Sequence, residues 1–354
     1  MQSEQQPPAP QSVSHHKQAR GSLISLLRGF FSCPAIAALA ELGLVKRMLA
    51  GPFHIQDFPQ AVDKRTLASV FRYLHSLNLV EALPEANYQL TAEGRTALKR
   101  NGAFLLLFSY RSYFQNLAGL LSGQPAAATV DRRLNVLGSG ALHTNKFFPA
   151  VWEMFSSAPP AALIDVGCGD GKFLTNACAQ WPGIAVAAVD LSAISVETTL
   201  KRLEGSGYSS VAGIVQSGAN VADWIAHLPA TLKARTPLTL SMWFVVHEFS
   251  DGETQTVIQF FQNLRAALPT AEIILGEITA VPPELLARYH DTSIMPEFLL
   301  FHELSRQGVL SWKMWHEILE EIPYTLAHER LFDLVGETAQ ESVPSSFVWH
   351  LRPR

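Results

Sequence analysis

Short apolar runs of strand length, separated by stretches of helix length, predict an α/β chain: a doubly wound parallel sheet preceded by a mostly helical domain. Beyond Pro160, such runs fall at residues 163–166, 185–190, 211–216, 238–246 and 272–278. Between the last two, Val257, Phe261, Leu264 and Leu268 recur on one helical face, and Pro269 follows to stop that helix. Ahead of Pro160 the texture differs. Leu67, Val70, Phe71, Leu74 and Leu77 form a helical stripe, and strand-like residues 79–81 and 88–90 flank a turn at 84–87. A helix followed by a short hairpin is a winged-helix pattern.

Four segments result. Residues 1–20 are polar and rich in Pro and Gln, lack the apolar stretch of a signal peptide, and are expected to be a disordered leader. Residues 21–100 form the winged-helix domain, whose apolar segment 23–49 suits packing on a partner subunit. Residues 101–160 read as a helical connector and lid, and 161–354 as the α/β domain.

The chain has 354 residues, 48% of them hydrophobic, and a net charge of -4 with only 16% charged residues. That balance leaves no broad basic face, and the candidate recognition helix offers only Lys64, Arg65 and Arg72, too few for a phosphate backbone. A small molecule is the expected partner, with no nucleic acid. Cys33, Cys168 and Cys178 show no C-x-x-C spacing, which disfavours a disulfide framework or a thiolate zinc knot and fits a reducing cytoplasm. No apolar stretch is expected to approach the roughly 20 residues that span a bilayer, so no membrane is expected.

The stretch ALIDVGCGDGKFL carries the first chemistry. In a doubly wound sheet a glycine-rich turn after the first strand lets the backbone approach a cofactor, and Gly167, Gly169 and Gly171 occupy that turn. A dinucleotide fingerprint would need glycine where Lys172 stands, and a phosphate loop would need Ser or Thr where Phe173 stands. The D-x-G-x-G-x-G pattern beginning at Asp165 instead resembles motif I of the class I S-adenosylmethionine-dependent methyltransferases. Asp190, closing the next strand run, agrees with it, since its carboxylate can accept both ribose hydroxyls. Leu191 is then placed against the adenine, and Gly218 and Ala219, with Ser217, beside the adenine ring. Asn220 or Asp223 would pair with it.

The stretch SMWFVVHEFSDGET ends a strand run at His247 and starts a helix near Ser250 or Asp251, where Ser or Asp followed by Glu253 makes a helix cap. It resembles the histidine motif of the caffeate and polyketide type O-methyltransferases. That resemblance implies a Rossmann-like methyltransferase domain, a winged-helix dimerisation domain ahead of it, a homodimer, and His247 as a general base. Further along, ARYHDTSIMPEFLLFHELSRQG places His302 where a second site residue would lie. His247 and His302, with Glu277 closing the strand run at 272–278, would make a two-His, one-carboxylate metal set, with His290, Asp291 and Glu303 competing for the third position.

The pairing of FHELSRQG with VVHEF resembles the metal-dependent C-methyltransferases of 2-oxo acids, which act on phenylpyruvate, 4-methyl-2-oxopentanoate or 2-ketoarginine. This resemblance implies a metal-stabilised enolate that attacks the sulfonium methyl. In the branch associated with iron a methionine precedes the histidine by three residues; Phe244 stands there, which favours zinc. With His247 committed to a metal, Glu303 or His290 is the candidate proton acceptor. Asp291, Glu297 and Glu303 could hold a guanidinium, which tilts the substrate to 2-ketoarginine. Phe298, Tyr113 and Phe147 could wall an apolar side chain instead. O-methylation of a small hydroxyl with His247 as base is the alternative, and a non-catalytic regulator would need a basic surface that the sequence lacks.

Overall fold

The computed structural model describes residues 12–124, 128–156, 158–208, 211–289, 293–336 and 342–354. It divides into two units, Met1–Phe108 and Ser109–Arg354.

The first unit is built around the helix Lys64–Ser76, whose amino end is capped by Asp63 accepting from the Thr66 N–H at 2.7 Å. Its apolar stripe buries Leu67, Phe71 and Leu74 against three short antiparallel strands, β1 (Phe53–His54), β2 (Val80–Ala82) and β3 (Asn87–Leu90), ordered β1-β3-β2. The wing pairs Val80 with Leu90, as the hairpin reading expects, and β1 joins it through Phe53 opposite Tyr88. Lys64, one of the candidate DNA-facing cations, instead reaches the carbonyls of Phe58 and Pro59.

The expected leader is part of a helix, Ser12–Glu41, from residue 12 onward, and residues 1–11 lie outside the described residues. Within it the window Ile24–Glu41 has a mean hydropathy of 1.3, long and apolar enough to cross a membrane by length and composition. Arg28, Ser32 and Pro34 interrupt its apolar residues, which is why a search for an unbroken run passes over it.

The second unit carries the parallel strands β4 (Ala162–Val166), β5 (Ala185–Asp190), β6 (Ala212–Val215), β7 (Leu238–Trp243) and β8 (Glu272–Ile278), all within three residues of their expected positions. Two further strands, β9 (Tyr324–Val335) and β10 (Val343–Pro353), complete the sheet in the order β6-β5-β4-β7-β8-β10-β9, with β10 antiparallel to both neighbours. This hairpin has no counterpart in the sequence reading. In β10, Ser345, Ser346 and His350 are buried along with Phe347, Val348 and Trp349, so neither alternation nor an apolar run marks the strand.

Both sheet faces are covered. Leu240, Phe261 and Trp224 lie in one core cluster, and Leu163, Phe173 and Leu174 in the other. β4 pairs in parallel with β5 on one side and β7 on the other, which opens a crevice at its carboxyl end. β7 stops three residues sooner than expected because Phe244 takes a positive φ of 57° and turns the chain into the helical turn Val246–Glu248. The helix after it runs Thr254–Ala267. Neither Ser250 nor Asp251 starts it, and Glu253 at its amino cap makes no side-chain cap bond. Ser250 donates instead to the Gly308 carbonyl.

Candidate active site

A cavity of about 420 Å³ opens at the carboxyl ends of β4 and β5. Asp165, Gly167, Gly169, Asp190, Leu191 and Gly218 line it, as the sequence expects. Gly167 has φ 78°, and a Cβ there would come within 2.2 Å of Val245, so only glycine lets this turn lie against the strand-end loop. Asp190 Oδ2 accepts the Gly169 N–H at 3.0 Å and Oδ1 the Ser192 N–H at 2.8 Å. The acid thereby holds the loop while each oxygen keeps acceptor capacity to spare. Burial raises the Asp190 pKa against those two hydrogen bonds. Asp165 is buried, accepts from Ser241 Oγ at 2.7 Å, and is pushed up to about 7 chiefly by burial. It braces β4 to β7 beneath the cavity.

Two expected cofactor residues do not line the cavity. Gly171 packs its backbone on the next helix, where a Cβ would stand 2.9 Å from Thr199. It is required for that close helix approach. Ala219 is likewise absent from the wall, as are Asn220 and Asp223; Ser217 and Gly218 supply that edge. The sequence reading also passed over the helix Arg132–Lys146, which contributes Arg132, Asn135, Ser139, Gly140 and His143 to the wall. In sequence Gly138, Ser139 and Gly140 read as a break, yet the helix runs through them, and its polar residues carry no motif.

The acceptor side is built from three distant segments. His247 Nδ1 lies 2.7 Å from Glu277 Oε1, with the imidazole and the carboxylate both buried. Since a carboxylate only accepts, Nδ1 is the donor and Nε2 the basic nitrogen. Burial lowers the His247 pKa, but the charge and hydrogen bond of Glu277 outweigh it, so the net direction is upward. His302 stands with its ring centroid 4.8 Å from that of His247. Its Nδ1 meets the Phe298 carbonyl at 2.7 Å, and burial, with the His247 charge, lowers its pKa to about 2. His302 is thus neutral with its lone pair on Nε2. The two elements are tied together where Gly308 N–H donates to the His247 carbonyl at 2.9 Å.

Glu277, expected as the third metal ligand, has both oxygens hydrogen-bonded within the fold. Its Oε1 is within bonding reach of His247 Nδ1 and the Ile278 N–H, and its Oε2 takes the N–H groups of Val246 and His247 at 3.0 and 3.3 Å. Four donors exhaust a carboxylate's acceptor capacity. Glu277 orients His247. Among the described residues no three His, Cys, Asp or Glu side chains converge as a metal-holding group.

The remaining expectations divide. Phe298 lies 4.2 Å from His302 with its ring tilted, whereas Tyr113 meets Tyr110, which lies 5.9 Å from His302 and 4.0 Å from Phe301. Phe147 packs on His143, Phe244 and Phe332, away from His302. Glu297 and Glu303 are exposed and make no site contact, because helix Met295–Leu304 turns its other face inward. Asp291 and His290 lie outside the described residues. Glu248 also lines the cavity, beside Asp165, Asp170 and Asp190, and pairs with Arg132 at 2.7 Å.

No family model matches the chain. A curated relative, the 2-ketoarginine methyltransferase of Streptomyces arginensis, is 26% identical over 318 residues, covering 87% of this chain and 89% of that protein. Among solved structures, the mitomycin 7-O-methyltransferase MmcR superposes with a TM-score of 0.63 at 14% identity, over 97% of this chain and all of that one. Human N-acetylserotonin methyltransferase in complex with S-adenosylmethionine gives 0.60 at 14%, over 94% of this chain and 98% of that one. The fold is that of the class I O-methyltransferases with a helical amino-terminal domain. With the glycine loop and the curated relative, it makes this chain an S-adenosylmethionine-dependent methyltransferase.

Proposed function

We propose that the chain methylates the carbon next to the ketone of a 2-oxo acid, with 2-ketoarginine as the leading substrate. The observation that carries this reading is the pair of adjacent imidazoles, set edge to face, each with Nδ1 tied to an acceptor and Nε2 without a protein partner among the described residues. That is the arrangement in which histidines bind metals. Two imidazoles supply half of a four-coordinate shell, and the ketone and carboxylate oxygens of a 2-oxo acid are suited to the other half. A divalent cation on Nε2 of His247 and His302, zinc in preference to iron because Phe244 stands where a thioether would, would supply Lewis acidity at the ketone oxygen. The choice of 2-ketoarginine rests on the curated relative's name.

The chain's own residues account for the rest. Arg132 is the cation a substrate carboxylate can take from Glu248, and the exchange frees Glu248 to accept the C3 proton. Carbon then attacks the methyl group: a carbon–carbon bond forms, the carbon–sulfur bond breaks, and S-adenosylhomocysteine leaves with the electron pair. Tyr110, Phe298 and Phe301 keep water from the histidine pair.

The buried His247–Glu277 dyad favours a second reading, O-methylation with His247 as base. One experiment separates them: methyl-labelled S-adenosylmethionine with a panel of 2-oxo acids, with and without chelator, and the label located by NMR. Label on C3 with loss of turnover in chelator is expected; label on oxygen, unaffected by chelator, overturns the proposal in favour of the dyad.

A homodimer is part of this reading. Leu26, Leu27, Phe30 and Phe31 are exposed on the helix Ser12–Glu41, and a second copy would cover them.

A further inference from the structure

The cofactor ends in an amino acid, and its carboxylate cannot be buried without a cationic or N–H partner. Among the described residues lining the cavity, the Arg and Lys side chains are Arg132 and Lys172. Arg132 is matched one to one with Glu248 at 2.7 Å. Lys172 differs. Its Nζ lies 3.1 Å from Asp170 Oδ2, but that same oxygen also receives Arg202 at 3.2 Å, and Arg202 Nε donates to the Asp170 carbonyl at 2.6 Å. Two cations therefore share one buried carboxylate, so Lys172 is not matched one to one with an acid as Arg132 is. Arg202 does not line the cavity and Lys172 does, so Lys172 is the member of that cluster a ligand can reach.

The geometry of the wall agrees. Lys172 directly follows the glycine loop, on whose other side Asp190 takes the Gly169 N–H. On the facing helix, a Cβ at Gly140 would come within 3.1 Å of Lys172 Nζ and 3.0 Å of Asp170 Oδ1. A bare backbone at that point leaves the ammonium room to reach the cavity, and an ammonium carries three donors, of which Asp170 takes one.

We infer that Lys172 holds the methionine carboxylate of S-adenosylmethionine, while Asp170 and Arg202 fix its position. The inference rests on the cofactor reading and goes beyond it, because the motif names the loop and not the partner of the amino acid end. Lys172 is a positioning residue for the cofactor and takes no part in the transfer.

The test uses two ligands that differ at that end. S-adenosylhomocysteine carries the carboxylate; 5′-methylthioadenosine keeps the adenosine and lacks it. Calorimetric titration of the full chain and of Lys172→Met is expected to show S-adenosylhomocysteine weakened roughly tenfold to a hundredfold, the range of one hydrogen bond to a charged group. Binding of 5′-methylthioadenosine should stay within about twofold. Lys172→Arg should restore most of the lost affinity, and the Met variant should raise KM for S-adenosylmethionine far more than it lowers kcat. Equal weakening of both ligands, or unchanged S-adenosylhomocysteine binding, overturns the assignment. If the unmodified chain binds neither ligand, the cofactor reading itself fails, and this one with it.

Discussion

The cofactor side and the acceptor side of the second unit are built on different principles. The cofactor side is mostly backbone: Gly167 and Gly169 present main chain to the cavity, and Asp190 holds them through a main-chain N–H. The acceptor side is mostly side chain: His247, Glu277 and His302 come from three segments, and what each does depends on what the others leave unbonded. A site made of consecutive backbone needs particular residues at fixed spacing. One made of converging side chains needs only compatible partners.

The sharpest way to break this contrast is Glu277→Gln. If Glu277 acts by fixing the His247 tautomer, the amide should lower kcat about a thousandfold while S-adenosylhomocysteine affinity stays within a few-fold. Steady-state kinetics beside calorimetry would show it. Comparable losses in both would mean the two sides share a single framework. The change also leaves buried N–H groups facing an amide, so a thermal melt should accompany the kinetics.

A smaller effect is expected on the other side. Asp190→Asn keeps one acceptor and replaces the other with a donor, which does not suit the Gly169 or Ser192 N–H it would face and removes the charge that strengthens the bonds to the ribose hydroxyls. Cofactor affinity should fall ten- to a hundredfold with kcat at saturating cofactor changed little. A kcat loss equal to the KM change would mean that the acid positions the methyl group as well as the ribose.

This contrast also explains what could be read in advance. The five parallel strands and the glycine turn were legible because each is marked by neighbouring residues: apolar runs, and glycines where φ is positive or backbone closely approached. Asp190 was legible because it closes a strand run. Glu277 closes one too, yet its hydrogen bonds to Val246 and His247 belong to the fold, and nothing near it in sequence says that both its oxygens are used. Glu303 stood beside His302 in sequence but one residue is about a hundred degrees of helix, enough to leave it in solvent. The C-terminal hairpin stayed hidden because a strand buried on both faces between others tolerates polar residues that find partners, such as His350 with Glu272 at 2.7 Å.

His143 lies between the two sides and gives the smallest effect. Its ring stacks on Phe244 with centroids 4.2 Å apart, and burial first, then the charges of Lys146 and Lys172, lower its pKa to about 3. An unfolded imidazole protonates near pH 6.5. Between those values the unfolded chain binds a proton that the folded chain refuses, so stability falls as the pH drops below about 6.5, by up to about 1 kcal/mol per pH unit for a half-buried ring. Other titrating groups contribute to the same slope, and a difference measurement removes them. His143→Phe keeps the stacking surface and loses the proton site, so denaturant unfolding at pH 7 and pH 5 should show the variant losing less stability than the parent. Parallel losses would mean that His143 carries its charge in the fold. The wall beside Lys172 would then hold a second cation, and the backbone side of the site would depend on side-chain charge as much as the histidine side does.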